Sequence, residues 1–302
     1  MGNVVVIGSL NCDCIAFVDE FPRPGHTLMA TNLLSRHGGK GANQAVAAAA
    51  QGACVSMLGC TGDDGAGEAY RQHLERRQVR TEYLIVRPGV PTGTALICVN
   101  RQAENTIVVG LGANGTLTPA DVRERQQALA ACDILLAQLE VPLDAVLEAL
   151  RLASSSGAAT CLNPSPWRDD FPWGQVALDF VIVNEHEARL LLGNMAEGAA
   201  MEEKLRAKNI RTLIITRGDR PTLAYTEGEA PLEIPVLPVE PVDTVGAGDS
   251  FAGAFAARWS EHRQLEPALR AASVAGSLAT LKAGAQEAIP TRGEVDQALL
   301  QI

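Results

Sequence analysis

The chain has 302 residues, 47% of them hydrophobic and 20% charged, a composition that suits a globular protein and excludes disorder. Its formal net charge of −10 argues against nucleic acid or an anionic membrane surface as main partner, because both reward basic surfaces. A nucleotide remains compatible with that charge if local donors receive it.

In chain order, NVVVIGS (3–9) reads as a buried strand with no basic leader or long apolar run around it. Residues 13–35 look strand-like without a helix, and a helix follows over Ala42–Gln51 with Gly52 as its stop. CVSMLG (54–59) is the next buried strand, followed by a helix over Gly65–Gln78. Residues 91–110 again lack a helix, and GTALICVN and NTIVVG resemble a hairpin pair. Thr118 and Pro119 make an N-cap and first-turn pair for a helix reaching Ala131. Strands at 133–139, 159–163, 179–184 and 211–216 then alternate with helices at Leu143–Ser155, Glu185–Leu192 and Glu202–Lys208. Helical patterns return at Ser250–Glu261, Pro267–Lys282 and Arg292–Leu300.

Such alternation predicts an α/β fold: a doubly wound, mostly parallel sheet flanked by helices, with a small β-sheet formed by the two helix-free stretches. No internal repeat divides the chain, so one domain over 1–302 is expected, with the small sheet, from about 13–35 and 91–110, inserted in it. The seven cysteines (12, 14, 54, 60, 98, 132, 161) are odd in number and include no Cys-x-x-Cys, which favours free thiols over a disulfide framework or a zinc site. No apolar run approaches the roughly 20 residues of a membrane span, and a soluble, cytoplasmic protein is expected.

Four clusters could carry chemistry. DTVGAGDSFAGAF (243–255) lacks the third glycine of a dinucleotide loop, and GGKG (38–41) lacks the spacing of a P-loop. Gly246 to Gly248 can instead bare successive N–H groups at a helix start, a nest suited to a transferring phosphoryl group, with Asp249 beside it as a proton acceptor. On the turn alone, Asp249 as a simple helix cap explains the pattern equally well. RHGGKGANQAVAAAA (36–50) offers Lys40 and Asn43 as donors, or merely a glycine turn before a core helix. GSLNCD places Asn11 and Asp13 after the first strand, and Glu140 follows another strand, where ligands of parallel sheets bind. Together these side chains would read a polyhydroxylated molecule. In NEHEARLL, Asn184 and Glu187 could serve hydrated Mg²⁺ or simply cap a helix.

GSLNCD, GGKGANQA, CTGDDGAGE, NEHEARLL and DTVGAGDSFAGA occur in the order found in the ribokinase (PfkB) family of carbohydrate kinases, which the chain resembles over about residues 3 to 300. The resemblance implies a doubly wound α/β domain with a β-sheet lid and transfer of the ATP γ-phosphate to a sugar hydroxyl. It implies Asp249 as general base, with the amides of Gly246, Ala247 and Gly248 as the anion hole. It places Asn184, Thr216, Gly218, Gly248 and Ser273 along ATP and gives Glu187 to Mg²⁺ through water. Asn11, Asp13, Gly39, Lys40, Asn43, Glu140 and Asp249 match the sugar contacts of ribose-phosphorylating members, with Ala95 and Ile97 as apolar lid contacts. D-ribose phosphorylated at its 5-hydroxyl is therefore the implied reaction. A K⁺ site is implied at Asp243 and the carbonyls of Val245, Ala279, Lys282 and Gly284, and a homodimer through the lid sheet. The chain departs from the family at Ala288, where a serine is usual, at Ser273, where Asn or His is frequent, and at Pro221, where glycine is usual. The rivals are a family kinase with another acceptor, such as deoxyribose or a nucleoside, and a sugar-binding regulator without turnover.

Overall fold

The computed structural model describes residues 1–102, 104–193 and 198–301. The chain opens with β1 (Asn3–Ile7), β2 (Asn11–Phe17), β3 (Asn32–Gly38), α1 (Lys40–Ala50) and β4 (Cys54–Gly62). Next come α2 (Gly65–Arg76), β5 (Val79–Arg80), β6 (Leu84–Arg87), β7 (Gly93–Val99) and β8 (Asn105–Gly110). The middle contains α3 (Pro119–Glu124), α4 (Gln126–Ala130), β9 (Ile134–Ala137), α5 (Leu143–Ser155), β10 (Ala159–Leu162), β11 (Leu178–Asn184) and α6 (Glu185–Leu192). The last part holds α7 (Ala199–Ala207), β12 (Ile210–Arg217), β13 (Arg220–Thr226), β14 (Leu232–Ile234), α8 (Ala247–His262), α9 (Leu265–Ala279) and α10 (Arg292–Leu299).

The larger sheet runs β14-β13-β12-β11-β10-β9-β1-β4-β5, with β6 also paired to β4. Its strands from β12 to β5 are parallel, and β13 and β14 add an antiparallel edge. Alternation along β1 explains why the sheet is covered on both faces. Val4 and Val6 enter a core shared with α1, α8, α9 and α10, whereas Val5 and Ile7 enter the opposite core with α3 to α7.

Small residues set how closely α1 and α8 approach. A Cβ added to Gly253 would lie 2.4 Å from the Gln44 carbonyl and 2.5 Å from the Ala47 Cβ. A Cβ on Gly41 would likewise lie 2.6 Å from the Gly8 backbone at the end of β1. These approaches bring the start of α1 against the first turn of α8, where the polar residues of interest lie.

A second sheet, β3-β2-β7-β8, stands apart, with β2 and β7 parallel and both outer pairs antiparallel. The helix-free stretches thus form one sheet, although β2 starts at Asn11, β3 continues to Gly38, and the segment between them is not strand. The expected helix to Ala131 divides into α3 and α4. Arg125 N bonds Val122 O at 3.0 Å, a three-residue step that closes α3, and its guanidinium covers Asp121 O at 3.0 Å. Of the cysteines, Cys60, Cys132 and Cys161 are buried and the other four are half-buried. Among the described residues no helix is long and apolar enough to cross a membrane.

Candidate active site

The glycine turn preceding α8 is shaped by a left-handed residue. Gly246 is the N-cap, with φ 77° and ψ −2°, and an added Cβ would lie 2.9 Å from Ala285 Cα. Ala247, Gly248 and Asp249 occupy the first turn, where helical N–H groups lack intrahelical partners. Ala247 N reaches Thr244 O at 3.3 Å, and the space beside Gly248 is open, with no heavy atom within 4 Å of an added Cβ.

Asp249 is 7% exposed. Its Oδ2 accepts from Asn43 Nδ2 at 2.9 Å and its Oδ1 from Gln44 Nε2 at 3.0 Å. Helix α1 supplies both donors because its close packing on α8 leaves only short polar reach between them. Behind Asn43, Gln286 Nε2 donates to Asn43 Oδ1 at 3.0 Å and to Tyr70 OH at 2.9 Å, and Tyr70 OH donates to Gly38 O. Burial raises the Tyr70 hydroxyl well above its ordinary pKa, so it stays a donor. Gln286 Oε1 must then accept, and His73 Nε2, 2.8 Å away, carries the proton.

The sugar-type residues converge on the same place. Gly39, at φ 87°, begins α1 so tightly that a Cβ would lie 2.8 Å from Asn11 N. Lys40 N and Ser9 Oγ both donate to Glu140 Oε2, the former at 3.0 Å. Asn11 is buried on β2, and its Oδ1 accepts from Asn114 Nδ2 at 2.8 Å. Asp13 pairs with Ala95 across β2 and β7, and Ile15 with Ile97, so Asp13, Ala95 and Ile97 share one face of the small sheet. Burial, with Glu140 and Glu287 nearby, pushes the Asp13 carboxyl up to about 7.

Two cavities meet at the N-terminus of α8. One of about 540 Å³ is lined by Thr216, Gly218, Gly248 and Ser273, together with the apolar Leu237 and Val239. The other, of about 220 Å³, is lined by Lys40, Asn184, Glu187, Thr216, Gly248 and Asp249. Thr216, Thr244 and Gly248 border both. Gly218, at φ 65°, turns the chain between β12 and β13, and Ser273 Oγ donates to Pro235 O at 2.8 Å. Asn184 and Glu187 form a reciprocal capping box at 2.9 Å in each direction, so the capping role and the cavity position hold together. That box uses Glu187 Oε2 and leaves Oε1.

Beside the turn, Asp243 Oδ1 accepts from Val245 N at 3.0 Å and Oδ2 from Gly284 N at 2.9 Å. These bonds tie the 243–245 segment to the end of α9, where Ala279, Lys282 and Gly284 lie, and Ala288 is buried nearby. The sequence-predicted site residues therefore fall at the sheet's carboxyl edge, on the face of the small sheet, in the first turn of α1, around the start of α8, or on α9 and the turn that follows it.

The sequence matches the pattern described as pfkB family carbohydrate kinase over residues 1–292. The chain belongs to the pfkB family of carbohydrate kinases. The kinase is 39% identical to ribokinase of Bacillus subtilis over 302 residues, covering 99% of this chain and 100% of the relative. It is 32% identical to deoxyribokinase of Salmonella typhimurium over 294 residues, 96% of both chains. Its fold superposes on Arabidopsis thaliana ribokinase complexed with ribose and ATP with a TM-score of 0.91, at 27% identity over 99% of this chain and 98% of the other.

Several polar residues at this site escape a sequence reading: Gln44, Asn114, Gln138, Asn163 and Gln286. Each is fully or partly buried and hydrogen-bonded to a site residue or to another of these amides. Their one signal is an amide inside an apolar or glycine-rich run, as in ANQAVAAAA, and that signal says nothing about the partner.

Proposed function

We propose that this kinase transfers the γ-phosphate of ATP to the 5-hydroxyl of D-ribose, giving D-ribose 5-phosphate. The observation that carries the reading is buried Asp249 lining the smaller cavity with Lys40, next to Gly248 where the two cavities meet, and bonded to Asn43, with Glu140 held by Lys40 N. The ribokinase relatives support the acceptor and the nucleotide.

In this mechanism, ATP lies along the larger cavity past Thr216, Gly218 and Ser273, with its phosphates toward Gly248. Asp249 accepts the proton of the sugar hydroxyl as it attacks in line. The N-cap amide of Gly246 and the first-turn amides of Gly248 and of Ala247, the last lying 3.3 Å from Thr244 O, would face the charge that develops on the transferring group. Asn184 and Glu187 suit a hydrated Mg²⁺, an ion that keeps most of its waters and takes few protein ligands; when bound it neutralises phosphate charge. The carbonyl-rich corner formed by Asp243, Val245, Ala279, Lys282 and Gly284 suits K⁺ by donor type, since it offers neutral oxygens and a single carboxylate. The small sheet acts as a lid over the sugar, presenting Asp13, Ala95 and Ile97 to it.

A panel of D-ribose, 2-deoxyribose, other sugars and nucleosides, assayed for ADP release with K⁺ or Na⁺, tests the reading. D-ribose is expected to give the highest kcat/KM. Preference for deoxyribose or a nucleoside would overturn the acceptor, and equal rates with Na⁺ the cation.

Asp13 makes the sugar step pH-dependent. With its folded pKa near 7 against an ordinary value of 3.8, Asp13 takes up a proton in the free enzyme as pH falls through 7. Its ionised form is the better acceptor for a sugar hydroxyl, and keeping it ionised weakens the free fold above pH 7. The KM for the sugar is therefore expected to rise as pH falls from 8 to 6, and Asp13→Asn to flatten that change. A wild-type KM that is constant over this interval would contradict it.

The opposite face of the small sheet carries Leu33, Leu96 and Val108, which are 62%, 55% and 62% exposed. An apolar, solvent-facing sheet surface of this kind supports a homodimer through the lid. Leu96→Lys is expected to halve the mass found by sedimentation, and an unchanged mass would sink the dimer.

A further inference from the structure

The amides around Asp249 have a fixed direction. An ionised carboxylate only accepts, so Asn43 and Gln44 must both turn their NH₂ groups to it. Gln44 Nε2 also lies 3.1 Å from Asn163 Oδ1, and Asn163 is itself pinned by its Nδ2 donating to Ile182 O at 2.9 Å. Both Gln44 amide protons are thus engaged, and Gln44 Oε1 accepts from Gln138 Nε2. Gln44 and Gln138 are both fully buried, and Gln138 Oε1 has no hydrogen-bond partner among the described residues. An apolar pair would fill this space without leaving an orphaned carbonyl, so packing alone does not account for the chain of amides.

We propose that Gln44 is a positioning residue for phosphoryl transfer, holding Asp249 Oδ1 so that the carboxylate keeps its remaining lone pairs toward the cavity shared with Lys40 and Gly248. The inference rests on Asp249 being the proton acceptor. Gln44 is suited to the task because its own backbone is also fixed, with its carbonyl pressed against Gly253 on the helix that carries Asp249. Asn43 holds the other oxygen but belongs to the sugar set; Gln44 stands outside that set, and like Asn43 it touches the carboxylate without lining either cavity. Loss of Gln44 therefore releases the base while leaving the sugar contacts in place. Misplacement of a reacting group by about 1 Å can cost on the order of 100-fold in rate.

The test compares Gln44→Leu, Gln44→Glu, Asp249→Asn and the double variant Gln44→Leu/Asp249→Asn. Turnover is measured with D-ribose and ATP, and ribose and nucleotide dissociation constants by calorimetry. Gln44→Leu is expected to lower kcat about 30- to 100-fold, with both dissociation constants within about threefold of wild type. The double variant should be no slower than Asp249→Asn, because a positioning residue has nothing left to position. A near-normal kcat in Gln44→Leu beside a crippled Asp249→Asn would overturn the positioning role and leave the base intact. Losses that multiply in the double variant would overturn it too, showing a structural role independent of the carboxylate. Near-normal turnover in Asp249→Asn would remove the base and this inference with it. Should Gln44→Leu not fold, Gln44→Glu decides alone: its carboxylate facing Asp249 Oδ1 is expected to lower kcat by a similar factor, and an unchanged kcat would overturn the proposal.

Discussion

Asp249→Asn is expected to fold and to bind ATP much as wild type does, with ribose binding weakened by one altered contact, yet to lose about three orders of magnitude in kcat, the middle of the range for a general base. The substitution is isosteric, and one side-chain oxygen still accepts from Asn43 or Gln44 as Asp249 does now at 2.9 and 3.0 Å. What disappears is the acceptor for the hydroxyl proton. The introduced NH₂ group would also face the amide donors of Asn43 or Gln44, so one polar contact turns repulsive and a modest fall in melting temperature accompanies the loss. Rapid-quench turnover and calorimetric binding separate the two effects. A kcat within tenfold of wild type would assign proton acceptance elsewhere.

Gly246→Ala is expected to lower kcat by about 100-fold, the cost of displacing one anion-hole donor. Two constraints meet at this residue. Its φ of 77° lies in the left-handed region, which costs an L-residue roughly 1–2 kcal/mol, and a Cβ would sit 2.9 Å from Ala285 Cα. The strain relaxes by moving the 246–248 turn or the 284–286 turn. The second of these carries Gly284, bonded to Asp243, and Gln286, bonded to Asn43. Both movements disturb the start of α8, so ATP-dependent turnover should fall more than ribose binding does. Unchanged turnover in a stably folded Gly246→Ala protein would remove the turn from the chemistry.

The parallel core was legible because its strands are short apolar runs separated by amphipathic segments. Helices α5 and α6 agree to the residue with Leu143–Ser155 and Glu185–Leu192, the latter marked by the Asn184 cap and Gly193 stop. The antiparallel edge was not legible. Strand β13 starts with Arg220 and Pro221, which imitate a turn, and β14 has only three residues. Asn11 and Asp13 read as a polar strand end, yet they lie within β2, whose one face turns toward the candidate sugar site instead of the core.

Within the site, the residues that glycine turns and strand ends mark were legible singly, and their order along the chain bound them together. The amides were not. Gln138 and Gln286 lie 94 and 243 residues from the partners they hold, Gln44 and Asn43, and nothing local in a glutamine distinguishes a buried hydrogen-bond donor from a solvated one. The polarity of that network depends on Asp249 at its centre and emerges only when α1, α8 and the 284–288 turn pack together.

The most direct measurement of the central claim is ³¹P NMR of the product formed from D-ribose, ATP and Mg²⁺, with the phosphorus-to-proton couplings resolved. Phosphorylation of the primary hydroxyl predicts one new phosphomonoester signal coupled to the two protons of C5, appearing with wild-type protein and absent over the same time with Asp249→Asn. A phosphate coupled to the anomeric proton, or no new ester at all while ATP is consumed, would contradict the account.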